Sequence, residues 1–287
     1  MEQQEKIKIV ELLRKFADKK GSQNKAATAL KVSSAVVSHL LSGNWQPYTD
    51  EMFRKIGAQV GHNVFTWKFA KTSNSEKLLN DLYFAKTSAK LLTIIAPAGS
   101  GKSETTKKFA EENPNVFRVE CGKYWDAKFF LAQIQQQMNI TSESNNPAYM
   151  LEEIFQKILK LEDPQIIVDE VDKLNDKVLP YLITFYNRLF KKCSIVILAT
   201  NHLVKMINDG VRKQKNGYNE IKSRFGRYYE FEQTTAADVK IMCETQGLTD
   251  SDTIQIIAKE SRGDFRIARD LIEEVIEDYN KKLITAS

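Results

Sequence analysis

The chain has little of what would hold a metal or a disulfide framework. Cys121, Cys193 and Cys243 are its only cysteines, widely spaced and without a CxxC pair, and His39, His62 and His202 join them at no metal-ligand spacing. Reduced thiols and no zinc are expected. No run of about 18 apolar residues is present to span a bilayer, and Met1 to Lys8 is polar where a signal peptide needs an apolar stretch. The expected compartment is the cytoplasm, with no membrane partner. Internal repeats and low-complexity segments are absent too. What remains is an ordinary globular composition, 42% hydrophobic and 28% charged over 287 residues, enough for two domains or one large one with an appendage.

The net charge of +5 is unevenly spread. Residues 1–73 carry 12 Lys and Arg against 6 Asp and Glu, so the excess is N-terminal and the rest of the chain is close to neutral. A second basic segment, Lys205 to Arg227, is offset by the acidic stretch after Gln233. Phosphate attraction depends on local potential, so this segregation points to a polyanion partner.

Hydrophobic periodicity divides the chain. Ile9, Leu12, Leu13 and Phe16 recur at helical spacing, Ser22 or Gln23 opens a second helix, and Ser33 or Ser34 caps a third that ends at Ser42-Gly43. Aperiodic sequence around Thr66 to Ser75 marks a linker. Beyond it, helical patterns alternate with β-branched runs at Leu91 to Ala96, Val116 to Glu120, Gln165 to Asp169, Ser194 to Ala199 and Tyr228 to Phe231, the signature of a parallel sheet covered by helices. From Thr235 onward only helical patterns follow. The expected organisation is a helical head at 1–66, a linker at 67–75, an α/β core at 76–232 and a helical lid at 233–287.

Two motifs carry chemistry. In the segment Leu91 to Ser103 a buried strand runs into Ala96-Pro97-Ala98-Gly99-Ser100-Gly101-Lys102-Ser103 and a helix start, and residues Pro97 to Ser103 with Glu104 are the expected nucleotide-binding residues. Such a loop aims backbone N–H groups and a helix dipole at phosphate oxygens, with Lys102 on the β and γ phosphates and Ser103 on Mg2+. Ala96 stands where the motif has its first glycine. Downstream, Ile166-Ile167-Val168 ends in Asp169-Glu170, and two carboxylates closing an apolar strand call for a cation or a reaction. Asp169 suits the Mg2+ shell opposite Ser103, and Glu170 suits the general base that polarises the attacking water. ATP and Mg2+ are the expected cofactors.

With these motifs, roughly residues 75–287 resemble the AAA+ ATPases. The resemblance implies that Asn201, ending Ser194-Ile195-Val196-Ile197-Leu198-Ala199-Thr200-Asn201, orients water near the γ phosphate. It implies that Arg224 of Ile221-Lys222-Ser223-Arg224-Phe225 is an arginine finger presented to a neighbouring subunit, with Arg227 in reserve. Arg266 of Arg262-Gly263-Asp264-Phe265-Arg266 would contact the γ phosphate from the lid.

The head resembles the helix-turn-helix of lambda-repressor-like proteins. Ala27 is small where two helices touch, and Lys31 stands where glycine is commoner in the turn. Ser33, Ser34, Ser38 and His39 place short polar groups at the start of the reading helix, where they would meet DNA. In the core, Lys123, Lys128, Arg212, Lys213 and Lys215 are further candidate DNA contacts.

Head and module together resemble the Mu-B-type family of ATP-dependent target DNA activators of transposition. That family's arrangement implies a homo-oligomer or helical filament on double-stranded DNA, delivering target DNA to a DDE-type transposase. A helicase-loader-type ATPase and an ATP-responsive helix-turn-helix regulator are the other readings.

Overall fold

A computed structural model of the chain describes residues 3–61, 67–141 and 144–285, with backbone alone over 280–285. Thr66, the expected end of the head, lies outside the described residues. Two compact units result, one of residues 1–68 with 273–287 and one of residues 69–272.

In the first unit, α1 (Gln3–Lys20) buries Ile9, Val10, Leu13 and Ala17 along one stripe. Side-chain caps start the next helices: Ser22 for α2 (Gln23–Ala29), Ser33 for α3 (Ser34–Ser42) and Thr49 for α4 (Asp50–Gln59). Left-handed Gly43, at φ 85°, stops α3. The turn between α2 and α3 passes through Lys31 at φ 54°, a left-handed conformation that glycine fills at lower cost. Leu30, Val37, Leu40, Phe53 and Ile56 close the core with Ile9 and Leu13.

The second unit starts with α5 (Ser73–Thr87), then β1 (Leu91–Ile95), α6 (Lys102–Glu112), β2 (Val116–Glu120), α7 (Ala127–Gln137) and α8 (Pro147–Ile158). There follow β3 (Gln165–Asp169), a 3-10 turn (Val171–Lys173), α9 (Leu179–Leu189), β4 (Ser194–Ala199), α10 (Asn201–Arg212), α11 (Tyr218–Phe225) and β5 (Tyr228–Glu230). The helices α12 (Ala236–Thr245), α13 (Ser251–Ser261) and α14 (Phe265–Thr285) complete the chain, α14 running on past the end of this unit. All strand pairs are parallel, in the order β2-β3-β4-β1-β5.

Strand alternation builds two cores. Ile95, Val119, Ile166, Val168, Ile195 and Ile197 point to one face and pack with residues of α7, α8, α9, α10 and α11. Leu92, Ile94, Ile167, Val196 and Leu198 point to the other and pack with α5 and with Phe109 of α6. This is the α/β architecture of the AAA+ core, a five-stranded parallel sheet with N-terminal helices and a C-terminal helical region. All three thiols are buried, and burial raises each: Cys121 well above its ordinary range, Cys193 to about 12 and Cys243 to about 11.

The structure departs from the expected linker at its second half. Residues 73–75 form the first turn of α5, and Thr72, Asn74 and Ser75 are buried. The run is aperiodic in sequence, yet its polar groups sit inside the fold. They are satisfied internally, because Ser73 donates through N and Oγ to Asp238 Oδ1 at 2.8 and 2.7 Å and Asn74 Nδ2 donates to the Glu232 carbonyl at 3.0 Å.

A second polar junction sets a packing test. The buried Tyr218 ring packs against Gly210 of α10, and its hydroxyl donates to Asp176. A methyl on Gly210 would overlap that ring. Gly210→Ala should destabilise the second unit by about 1–3 kcal/mol despite the better helix propensity of alanine. Chemical denaturation measures it, and an unchanged midpoint would show that the ring is free to move.

Candidate nucleotide site

The phosphate loop is set by two left-handed glycines. Gly99 at φ 71° and Gly101 at φ 81° turn the chain from β1 into α6, and Gly101 precedes the helix without a side-chain cap. The first N–H groups of α6 are therefore left for an anion. Lys102 is buried and its Nζ reaches across the loop to the Pro97 carbonyl at 3.3 Å. Ser100 Oγ is buried without a hydrogen-bond partner, a group that a ligand oxygen would satisfy. Pro97 is half-buried and Ala98 exposed on the rim, and Glu104 is exposed in the first turn of α6.

Asp169, the last residue of β3, is fully buried. Its Oδ2 accepts from Ser103 Oγ at 2.7 Å and its Oδ1 from the Glu170 N–H at 2.9 Å. Serine and carboxylate thus stand together where a Mg2+ shell would need them, beside the phosphate loop. This donor set fits Mg2+, which takes one or two protein oxygens and completes its shell with water and phosphate.

Glu170 follows with φ 57°, unusual for a residue with a side chain and of the kind that collects at functional sites. Its carboxylate is paired with Lys173, and this hydrogen bond raises the Lys173 pKa. Asp172 accepts from Thr200 Oγ1 at 2.6 Å, and Thr200 caps α10, whose exposed first residue is Asn201. Because β4 lies between β3 and β1, Asn201 leaves the sheet between Asp169 and the phosphate loop.

The start of α14 sits on the same loop. Phe265 N donates to the Gly99 carbonyl at 2.9 Å, and the Asp264 carboxylate fills the space where Gly99 would carry a side chain. Arg266 forms a two-pronged pair with Asp264, Nε to Oδ1 at 3.0 Å and Nη2 to Oδ2 at 2.6 Å, which holds the Asp264 pKa below the usual carboxylate range. The Asp264 hydrogen bond raises the Arg266 pKa, with Glu170 adding a smaller push. Lys102, Ser103, Asp169, Glu170 and the Asp264–Arg266 pair therefore occupy one region.

Other predicted residues stand elsewhere. Arg224 is exposed on α11, its guanidinium 5.4 Å from the Tyr186 ring centre and its Nη1 3.4 Å from Ser223 Oγ; no hydrogen bond or ion pair among the described residues ties it to the phosphate loop. Arg227 lies over the Tyr229 ring. Lys123 and Lys128 are exposed on either side of Asp126, while Arg212 is paired with Asp209 at 2.8 Å and Lys215 with Asp176 at 2.5 Å. Lys213 is exposed beside them. In the head, Ser33 is spent on its cap, Ser34 and Ser38 are exposed on α3, and the His39 Nδ1 meets the Tyr48 hydroxyl at 2.9 Å.

Three residues of the site escape motif reading: Arg118 of β2, which donates to Asp169, Lys173, which holds Glu170, and Asp264, which holds Arg266. Arg118 leaves one trace, a cation inside the otherwise β-rich run Val116-Phe117-Arg118-Val119.

Residues 85–207, which hold the phosphate loop, Asp169, Glu170 and Asn201, match the family model of the AAA domain. An AAA domain implies ATP and Mg2+ binding and ATPase activity.

No curated protein matches the chain. Among solved structures it is similar to the ORC1 protein of Aeropyrum pernix in complex with DNA, at 15% identity and TM-score 0.53, over 75% of this chain and 62% of that one. It is also similar to Drosophila ORC bound to DNA, at 16% identity and TM-score 0.50, over 77% and 59%. The RuvB Holliday junction branch migration motor of Thermotoga maritima matches at 21% identity and TM-score 0.47, over 73% and 63%. The chain thus spans about three fifths of the length of the structures it matches.

Two substitutions test the site. If Lys102 is the cation expected to face the β and γ phosphates, Lys102→Ala should abolish ATP binding, and if Glu170 is the expected base, Glu170→Gln keeps size but cannot take the water's proton and should trap bound ATP. Nucleotide affinity and turnover measured on both variants decide it. Unimpaired hydrolysis by Glu170→Gln would remove that residue from the role.

Proposed function

We propose that the chain is an ATP-dependent DNA-binding ATPase that oligomerises on duplex DNA and delivers target DNA to a DDE-type transposase. The observation that carries this reading is the pairing, in one chain, of a helix-turn-helix head with a nucleotide site furnished for hydrolysis. A head alone suits a regulator, and Glu170 beside the Mg2+ carboxylate is superfluous for a sensor that only binds ATP. The two ORC structures were solved with DNA, the partner proposed here.

DNA is held in this reading by two sets of groups. Ser34, Ser38 and His39 present polar atoms from α3, and Lys123, Lys128 and Lys213 present charge from the core. Lys215 and Arg212 contribute less, since each is committed to a carboxylate. A filament whose subunits meet every sequence in turn must bind phosphates, so the core lysines set its register and the head adds avidity.

Arg224 has no task within its own chain's nucleotide site and is exposed on α11. It completes the site of a neighbouring copy, spreading the charge of the transferring phosphoryl group.

Electron microscopy of the full chain with duplex DNA should show ATP-dependent filaments, absent for Lys102→Ala. Binding indifferent to ATP, or confined to one sequence, would favour the regulator. Arg224→Ala should lower turnover in the assembly by roughly 10³-fold while leaving ATP binding intact. Mixing it with Lys102→Ala should restore some activity, and none at any ratio would count against action between subunits.

A further inference from the structure

Arg118 lies outside every motif and yet touches the centre of the site. Its Nη2 donates to Asp169 Oδ2 at 2.8 Å, the same oxygen that accepts from Ser103, and to Glu120 Oε2 at 2.9 Å. Its Nε donates to Thr106 Oγ1 at 2.9 Å, and Thr106 in turn donates to the Ser103 carbonyl at 3.0 Å. The guanidinium therefore joins the first turn of α6 to the end of β3. Asp169 is wholly buried and the Arg118 side chain only 15% exposed, while Glu120 is half in water. The strong partner is Asp169, because charge pairs weaken with solvent screening.

A buried carboxylate needs a cation beside it, and next to bound phosphates an uncompensated one would repel the nucleotide. We propose that Arg118 is a positioning residue that stands in for the metal's charge, holding Asp169 aimed at Ser103 and keeping the site able to accept nucleotide before Mg2+ arrives. This rests on the nucleotide-site reading. It makes Mg2+ a requirement of hydrolysis more than of binding. Arginine suits the task because it stays charged and its fork serves Asp169 and Thr106 at once.

The test is the affinity of the full chain for a fluorescent ADP analogue in EDTA and in saturating Mg2+. Arg118→Gln should weaken binding in EDTA by about tenfold or more, the worth of a hydrogen bond between charged groups, and leave binding in Mg2+ unchanged. Arg118→Lys, which keeps the charge, should lose less in EDTA. In an Asp169→Asn background, where there is no charge to compensate, Arg118→Gln should have no further effect in EDTA, and this pair also serves if the single variant folds poorly. Equal losses in both buffers would assign Arg118 a merely structural role and overturn the proposal, as would no loss in EDTA or a loss that persists beside Asp169→Asn. Failure of the unsubstituted chain to bind in either buffer would instead sink the site reading and take this proposal with it.

Discussion

The hydrogen bond from Ser103 to Asp169 joins two parts of the chain 66 residues apart and fixes how the site is built. One end belongs to the first turn of α6, where the phosphate loop becomes helix, and the other to the last residue of β3. The parallel sheet makes the meeting possible, since β1 and β3 both deliver their C-terminal ends to the same edge with β4 between them. Asp169 is also ion-paired with Arg118 at 2.8 Å, and breaking a buried charged pair commonly costs about 3–5 kcal/mol, because the remaining charge is stranded. Asp169 is therefore a keystone of the fold as well as a candidate for metal binding, and loss of stability must be separated from loss of chemistry whenever it is changed.

Around that bond, several polar groups of the site are paired with one another. Glu170 is held by Lys173, Arg266 by Asp264, and Thr200 by Asp172. Each pairing spares an exposed or half-buried charge from standing alone, and each must loosen before the side chain can face a nucleotide or water.

The strands and the phosphate loop were legible in the sequence because they depend on local patterns. Runs such as Ile166-Ile167-Val168 are buried on both faces, and Gly99 and Gly101 sit where backbone geometry admits little else. Residues whose role comes from a distant partner were not legible. Arg118 looks like one charge on a strand until β3 is laid beside β2, and Asp264 looks like a helix-opening residue until α14 is seated on Gly99. The same holds for Ser73 and Asn74, which lie in the aperiodic run and whose acceptors are some 160 residues away.

The buried thiols have a practical consequence. Cys121 follows β2 with its N–H on the Asp169 carbonyl, Cys193 precedes β4, and Cys243 lies in α12, so they sample the two ends of the sheet and the C-terminal helices. Each is sheltered and held protonated, and thiolates, not thiols, react with alkylating reagents. Labelling must then wait for the surrounding structure to open. The chain carries three natural clocks for local opening, and the order in which they are marked reports which region breathes first.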